Sequence, residues 1–183
     1  MPIFLVGLLV GGNISRYIIL FLPLFALFGF AFESEAFAYR EIFYNGKKYY
    51  KKYFLNTVKD KFIRKYLFYL VTFNLCYYSL TSLYMLNGYS PIIKIIYYIF
   101  LFIDSNILFY SIMQMALREY TSGINVLQNS LLITFRYFII SVIVFFISLL
   151  FIRIIAYNKI FIFIYISIMA FLMNFVNDRI LSN

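Results

Sequence analysis

Asp104, Ser105 and Asn106 interrupt an apolar stretch running from Pro91 to Met113, and their position invites a chemical reading more than any other in the chain. A carboxylate surrounded by hydrocarbon costs several kcal/mol unless it is paired, hydrogen-bonded or protonated. Asp104 therefore has to face protein, and Arg16, Arg136 and Arg153 are the cations available to it. Two roles follow for Asp104 with Asn106. One is an ion- or substrate-coupling site inside a membrane, and the other is a charge-paired packing contact. A single acid with no second titratable partner weighs toward packing.

Other chemistry is thinly represented. Histidine is absent and Cys76 is the only cysteine, so imidazole catalysis and His/Cys metal sites lack their residues. Cys76 cannot form an internal disulfide and reads as a small apolar packing group. Glu33, Glu35 and Glu41 lie close in sequence, but no nucleophile or metal-binding cluster accompanies them. No catalytic residue, cofactor or metal site is assigned, and the chain reads as non-enzymatic.

The elements that must position these residues follow from composition. Of 183 residues, 64% are hydrophobic and 13% charged, with mean hydropathy +0.89. Soluble domains carry about 25% charged residues, so lipid is the expected solvent for most of this surface. The expectation is an all-α, polytopic transmembrane helical bundle in a single membrane domain. About 20 apolar residues cross a bilayer, which gives five spans, at about 3–32, 66–86, 91–113, 131–152 and 157–175. The turn Asn87-Gly88-Tyr89-Ser90 leads into Pro91, well placed in a first helical turn. The 131–152 span holds only Arg136, one turn from its start. In 3–32, Gly11-Gly12-Asn13, Arg16 and Pro23 predict one long kinked helix rather than a cleaved leader. With no tryptophan, an interfacial aromatic belt has to be built from tyrosine.

Charge sets the orientation. Nine lysines and arginines fall between Arg40 and Lys65. Placing them inside puts twelve cations inside and three outside, with Arg16 unassigned, which leaves the amino terminus outside and the carboxyl terminus inside. Heavy use of Phe, Ile, Tyr, Asn and Lys points to an A/T-rich genome, and the expected location is a bacterial cell membrane. Two cytoplasmic amphipathic helices are expected. In 47–65, Tyr50, Phe54, Val58 and Phe62 form an apolar face, expected to lie down on the inner headgroup layer. Lys47, Lys48, Lys51, Lys52, Lys59, Lys61, Arg64 and Lys65 supply a surface for anionic headgroups or for a protein partner. In 114–130, Leu117, Tyr120, Ile124, Leu127 and Leu131 recur at helical spacing. Nucleic acid is not an expected partner, because anionic lipid competes for the same charge. Small and weakly polar stripes, Thr72-Cys76-Ser79-Ser82 and Ser167-Ala170-Asn174-Asn177, predict helix–helix contacts.

Two stretches resemble the YesL-like family of bacterial integral membrane proteins, whose function is unassigned. The first is Leu22-Pro23, Gly29, Ala31–Ala38 and the basic aromatic run from Tyr53-Phe54 to Lys61-Phe62. The second runs from Leu108-Phe109-Tyr110 through Ala116-Leu117, Tyr120, Asn129-Ser130 and Arg136 to Leu150. The family's Thr-x-Gly after Leu-Pro is missing here, and so is any tryptophan. The resemblance implies a small multispanning protein, often encoded beside carbohydrate-uptake ABC transporters, and it carries over no site residue. The function expected is an accessory or regulator of a membrane transport system, acting on a membrane-protein partner or as a homo-oligomer. The alternatives are a small transporter or channel subunit using Asp104, and a bacteriocin-immunity or stress-related membrane protein.

Overall fold

The structure, a computed structural model, describes residues 14–85, 90–118, 122–158 and 161–180. Within them the chain is all-helical. Helix α1 spans Ile14–Tyr39, α2 Tyr50–Lys59, α3 Phe62–Met85, α4 Pro91–Leu117, α5 Gly123–Arg136, α6 Phe138–Tyr157 and α7 Phe161–Ile180. The first part of the 3–32 span and most of the turn before Pro91 lie outside the described residues. Helix α1 carries Pro23 inside it and continues past Glu33 to Tyr39. A π-helical turn, Arg40–Tyr44, follows. Gly46 then turns the chain at φ 65°, in the left-handed region that a residue without Cβ enters at little cost.

Among the described residues, α4 is long and apolar enough to cross a membrane. The pair α5 and α6, taken to Phe151, meets the same test only as one bent unit. Pro91 opens α4 in its first turn, as its missing N–H predicts. The amino-terminal half of α4 is exposed at Ile92, Ile95, Ile96, Ile99 and Phe100, while Phe109–Ala116 is buried.

Three boundaries differ from the sequence expectation. The 114–130 segment is not one helix: α4 runs through Leu117 and α5 starts at Gly123, where Ser122 Oγ accepts from Asn125 N at 3.3 Å. The 131–152 stretch is not one straight span. Residues 131–136 finish α5, and α6 leaves it at 101°. At this elbow Tyr137 takes φ −114° and ψ 47°. Ser141 Oγ donates across it to the Thr134 carbonyl at 3.0 Å, and Tyr110 OH meets Ser141 Oγ at 3.0 Å. These bonds occupy polar groups that a broken helix would leave unpaired. The third difference is in 47–65, which breaks at Asp60-Lys61, where Lys61 has φ 48°.

Helix α1 is the hub, packed against α2, α3, α4 and α7. Its contacts are made by small residues and aromatic rings. Ala26, Ala36 and Ala38 are fully buried, Phe30 stacks on Phe62 at 4.9 Å, and Phe32 meets Tyr165 edge-on at 5.7 Å. Asn174 Nδ2 on α7 donates to the Ala36 carbonyl at 2.9 Å. That bond places Asn174 at the α1–α7 contact, where its stripe predicts it. Ala170 and Asn177 are buried beside it, and Ser167 is exposed.

Candidate functional site

Hydropathy reading does not anticipate the most completely buried charge in the described chain. Glu33 comes one residue after the apolar run of α1 ends, and Lys65 comes one residue before the run of α3 begins. The two helices bring them together inside the protein, with Glu33 0% and Lys65 2% exposed. Lys65 Nζ donates to Glu33 Oε1 at 2.6 Å, and Tyr69 OH donates to Glu33 Oε2 at 2.6 Å. Lys65 and Tyr69 sit four apart on α3, so both reach the same acid from one face. Lys65 also lies 3.5 Å from Asp60 Oδ2 at the α2–α3 corner. Gly29, one turn before Glu33, carries the face of the Tyr69 ring, and a Cβ there would overlap that ring. Phe30 closes the other side, edge-on to Tyr69 at 5.5 Å.

Chemically this is a latch and not a poised base. Both carboxylate oxygens already accept hydrogen bonds, and the ammonium is committed to two acids. Such an arrangement joins α1, α3 and the α2–α3 corner. Removing either charge would strand the other without solvent. Lys65 was expected on the cytoplasmic docking surface. The structure corrects this: its long side chain turns inward and pairs with Glu33, a carboxylate that would otherwise be buried without a counter-charge.

The remaining basic residues divide by neighbour. Lys47 pairs with Glu41 and lies 5.2 Å over the Tyr53 ring. Glu41 also accepts from Asn45 Nδ2 at 2.8 Å. The hydrogen bond from Lys47 holds the Glu41 carboxyl below its ordinary value, and the same bond raises Lys47. Tyr50 OH donates to Glu35, and burial together with that carboxylate raises the phenol. Lys48, Lys51 and Lys52 line a shallow open depression with Tyr49, Tyr50 and Leu55. Lys59, Lys61 and Arg64 are exposed around the corner that follows.

Of the expected apolar face of 47–65, Val58 packs on the core and Phe62 stacks on Phe30 of α1, while Tyr50 and Phe62 stay 41% and 40% exposed. Beside that face Thr57 is buried and Tyr53 approaches Phe37 of α1 at 6.3 Å. This side of α2 covers α1, and the lysine side with Leu55 points outward.

Asp104 and Asn106 are not brought together. Two residues apart on a helix, they point to nearly opposite sides. Asp104 accepts a hydrogen bond from Ser79 on α3. No ion pair to it occurs among the described residues. Arg136 instead stands 5.5 Å over the Tyr137 ring at the elbow, Arg153 is exposed, and the Arg16 side chain lies outside the described residues. Asn106 is buried, and its Nδ2 donates to the Phe102 carbonyl at 2.8 Å. Ser34 Oγ, Asn106 Oδ1 and Asn174 Oδ1 are buried with no hydrogen-bond partner among the described atoms.

Charge counting picks out Glu33 but neither Tyr69 nor the pairing with Lys65, because it treats each residue by its neighbours in sequence. The available signal was the spacing Lys65-Tyr69 on one helix and Gly29-Glu33 on another, both at one turn. No protein-family model matches the chain, and no curated protein or solved structure matches it.

Proposed function

We propose that this chain is a multi-pass helical protein of a bacterial cell membrane that serves as a non-enzymatic accessory to a transport system. The observation that carries the reading is an inverted distribution of polarity. Glu33, Lys65, Asn106, Gln114, Ser130, Thr134 and Asn174 are buried, while Val71, Leu75, Ile92, Ile95, Leu132, Ile139, Phe146 and Leu150 face outward. In water this arrangement leaves large apolar patches unexplained. In lipid it is expected, because helices there associate through small and polar side chains. Most of those polar groups are used between helices or on their own backbones: Ser111 Oγ meets Ser130 Oγ at 2.9 Å, and Gln114 Nε2 donates to Ser130 Oγ at 2.8 Å. Side chains engaged in this way support packing more than passage, which favours a role exerted on a partner. The resemblance to the YesL-like family adds carbohydrate uptake as the system served.

The test pairs two measurements. Deleting the gene should lower carbohydrate uptake by cells, while the purified chain in proteoliposomes should pass none of the same sugar. Unchanged uptake in the deletion would refute the accessory role. Flux through the proteoliposomes would instead support a second reading, a small transporter. That reading is favoured by the buried acceptors Asn106 Oδ1 and Asn174 Oδ1, which have no hydrogen-bond partner among the described residues, rather than by Asp104.

A further inference from the structure

Resting on the membrane reading above, we propose that the outward face of α2 is a docking site for anionic phospholipid headgroups, with Lys48, Lys51 and Lys52 holding the lipid phosphate. The argument starts from which charges the fold has already matched. Of the acids near this surface, Glu33 is consumed by Lys65 and Tyr69, Glu35 by Tyr50, Glu41 by Lys47 and Asn45, and Asp60 by Lys65. Lys48, Lys51 and Lys52 enter no ion pair among the described residues, and they rim one depression. Residues 51, 52, 55 and 59 follow helical spacing on α2, so Lys59 extends the cationic stripe past Leu55, and Lys48 adjoins it just before the helix begins. With Thr57 and Val58 turned to the core, the stripe has no use inside the fold.

An anion would complement this stripe, and the surroundings favour a lipid one. Tyr49 is 72% exposed beside the lysines, with Tyr50 also at the rim, and ring-plus-hydroxyl side chains favour the headgroup level. Past the corner that ends α2, Ile63 and Leu67 on α3 are 73% and 55% exposed, an apolar surface for acyl chains that follows the exposed Lys59 and Lys61 in the chain. A soluble anion would use the lysines and leave that apolar surface unexplained.

The experiment uses the full chain in nanodiscs of phosphatidylcholine mixed with phosphatidylglycerol, with native mass spectrometry of the lipids that remain bound after release. The expected result is a preference for phosphatidylglycerol of roughly tenfold to a hundredfold, the upper end being what three near-surface cations give together. It should collapse toward parity in the Lys48→Gln/Lys51→Gln/Lys52→Gln variant and persist in Arg153→Gln. These are exposed side chains, so folding should be retained, which circular dichroism checks. An equal preference in the triple variant would overturn the site, as would millimolar inorganic phosphate displacing the lipid from the wild type. Extraction of the chain from bilayers by alkaline carbonate would refute the membrane reading itself. A chain that stays embedded without headgroup preference loses this site alone.

Discussion

Lys65 illustrates how one residue changes meaning when its neighbours change. Among nine cations in a run of 26 residues from Arg40 to Lys65, it looks like one more contribution to topology. In the fold it is 2% exposed and bonded to Glu33, 32 positions away. The mutational consequence follows from the asymmetry of buried ion pairs: breaking one strands a charge, while replacing both members can be nearly neutral. Lys65→Met should therefore cost about 3–5 kcal/mol, and Lys65→Met combined with Glu33→Gln should recover most of it. Thermal unfolding of the detergent-solubilised chain measures both. A single variant within about 0.5 kcal/mol of wild type would mean that the lysine is solvated after all. What sequence made legible at this scale was the presence of cations. Their separation into one latch, one Glu41 pair, one contact of Arg40 with Asp178 at 3.8 Å and one open stripe depends on partners that only folding brings near.

At the scale of elements, the two helices expected within 66–113 are present as α3 and α4 and pack on each other, and α1 is a long helix over its described part. The elbow between α5 and α6 was not legible, because Leu131–Ile152 is apolar throughout except for Arg136 and hydropathy does not record direction. The bend is set by Tyr137 and by Ser141 bonding back to Thr134 under Tyr110. Replacing Ser141 with Ala removes that bond. On the membrane reading proposed above such a hydrogen bond is worth roughly 0.6 kcal/mol, so the helices should stay folded while the angle loosens. Spin labels at Ile124→Cys and Leu150→Cys in a Cys76→Ala chain should report a broader distance distribution in Ser141→Ala. An unchanged width would assign the elbow to the Tyr137 backbone alone.

The turn between α1 and α2 offers a pH test with a definite sign. Glu41 is held below its ordinary value of 4.5 by the hydrogen bond from Lys47. A depressed carboxyl contributes stability that is complete above 4.5 and is lost as pH falls through the lowered value. Amide exchange over 45–49, corrected for intrinsic rate, should accelerate in that acidic window in the wild type. In Lys47→Gln it should be faster already at neutral pH, with a weaker acid response. Equal pH profiles in the two proteins would show that the pair does not order this turn.

At the scale of the whole molecule, the inverted polarity and the charge asymmetry bear on different questions. Exposed apolar side chains along α3, α4, α6 and α7 concern the solvent, while the cations of 40–65 concern orientation. On the orientation proposed above, Lys48 would lie in the cell interior, and a crossing by α3 would put Ser90 outside. In a chain whose Cys76 is replaced by Ser, Ser90→Cys should react with a membrane-impermeant maleimide on intact cells, and Lys48→Cys only after lysis. Both positions are exposed, so silence at either one reflects the membrane and not burial. Labelling of both positions from outside would show that α3 does not cross. The reverse pattern would keep the crossing and invert the orientation, removing the argument that the lysine stripe meets the anionic inner leaflet.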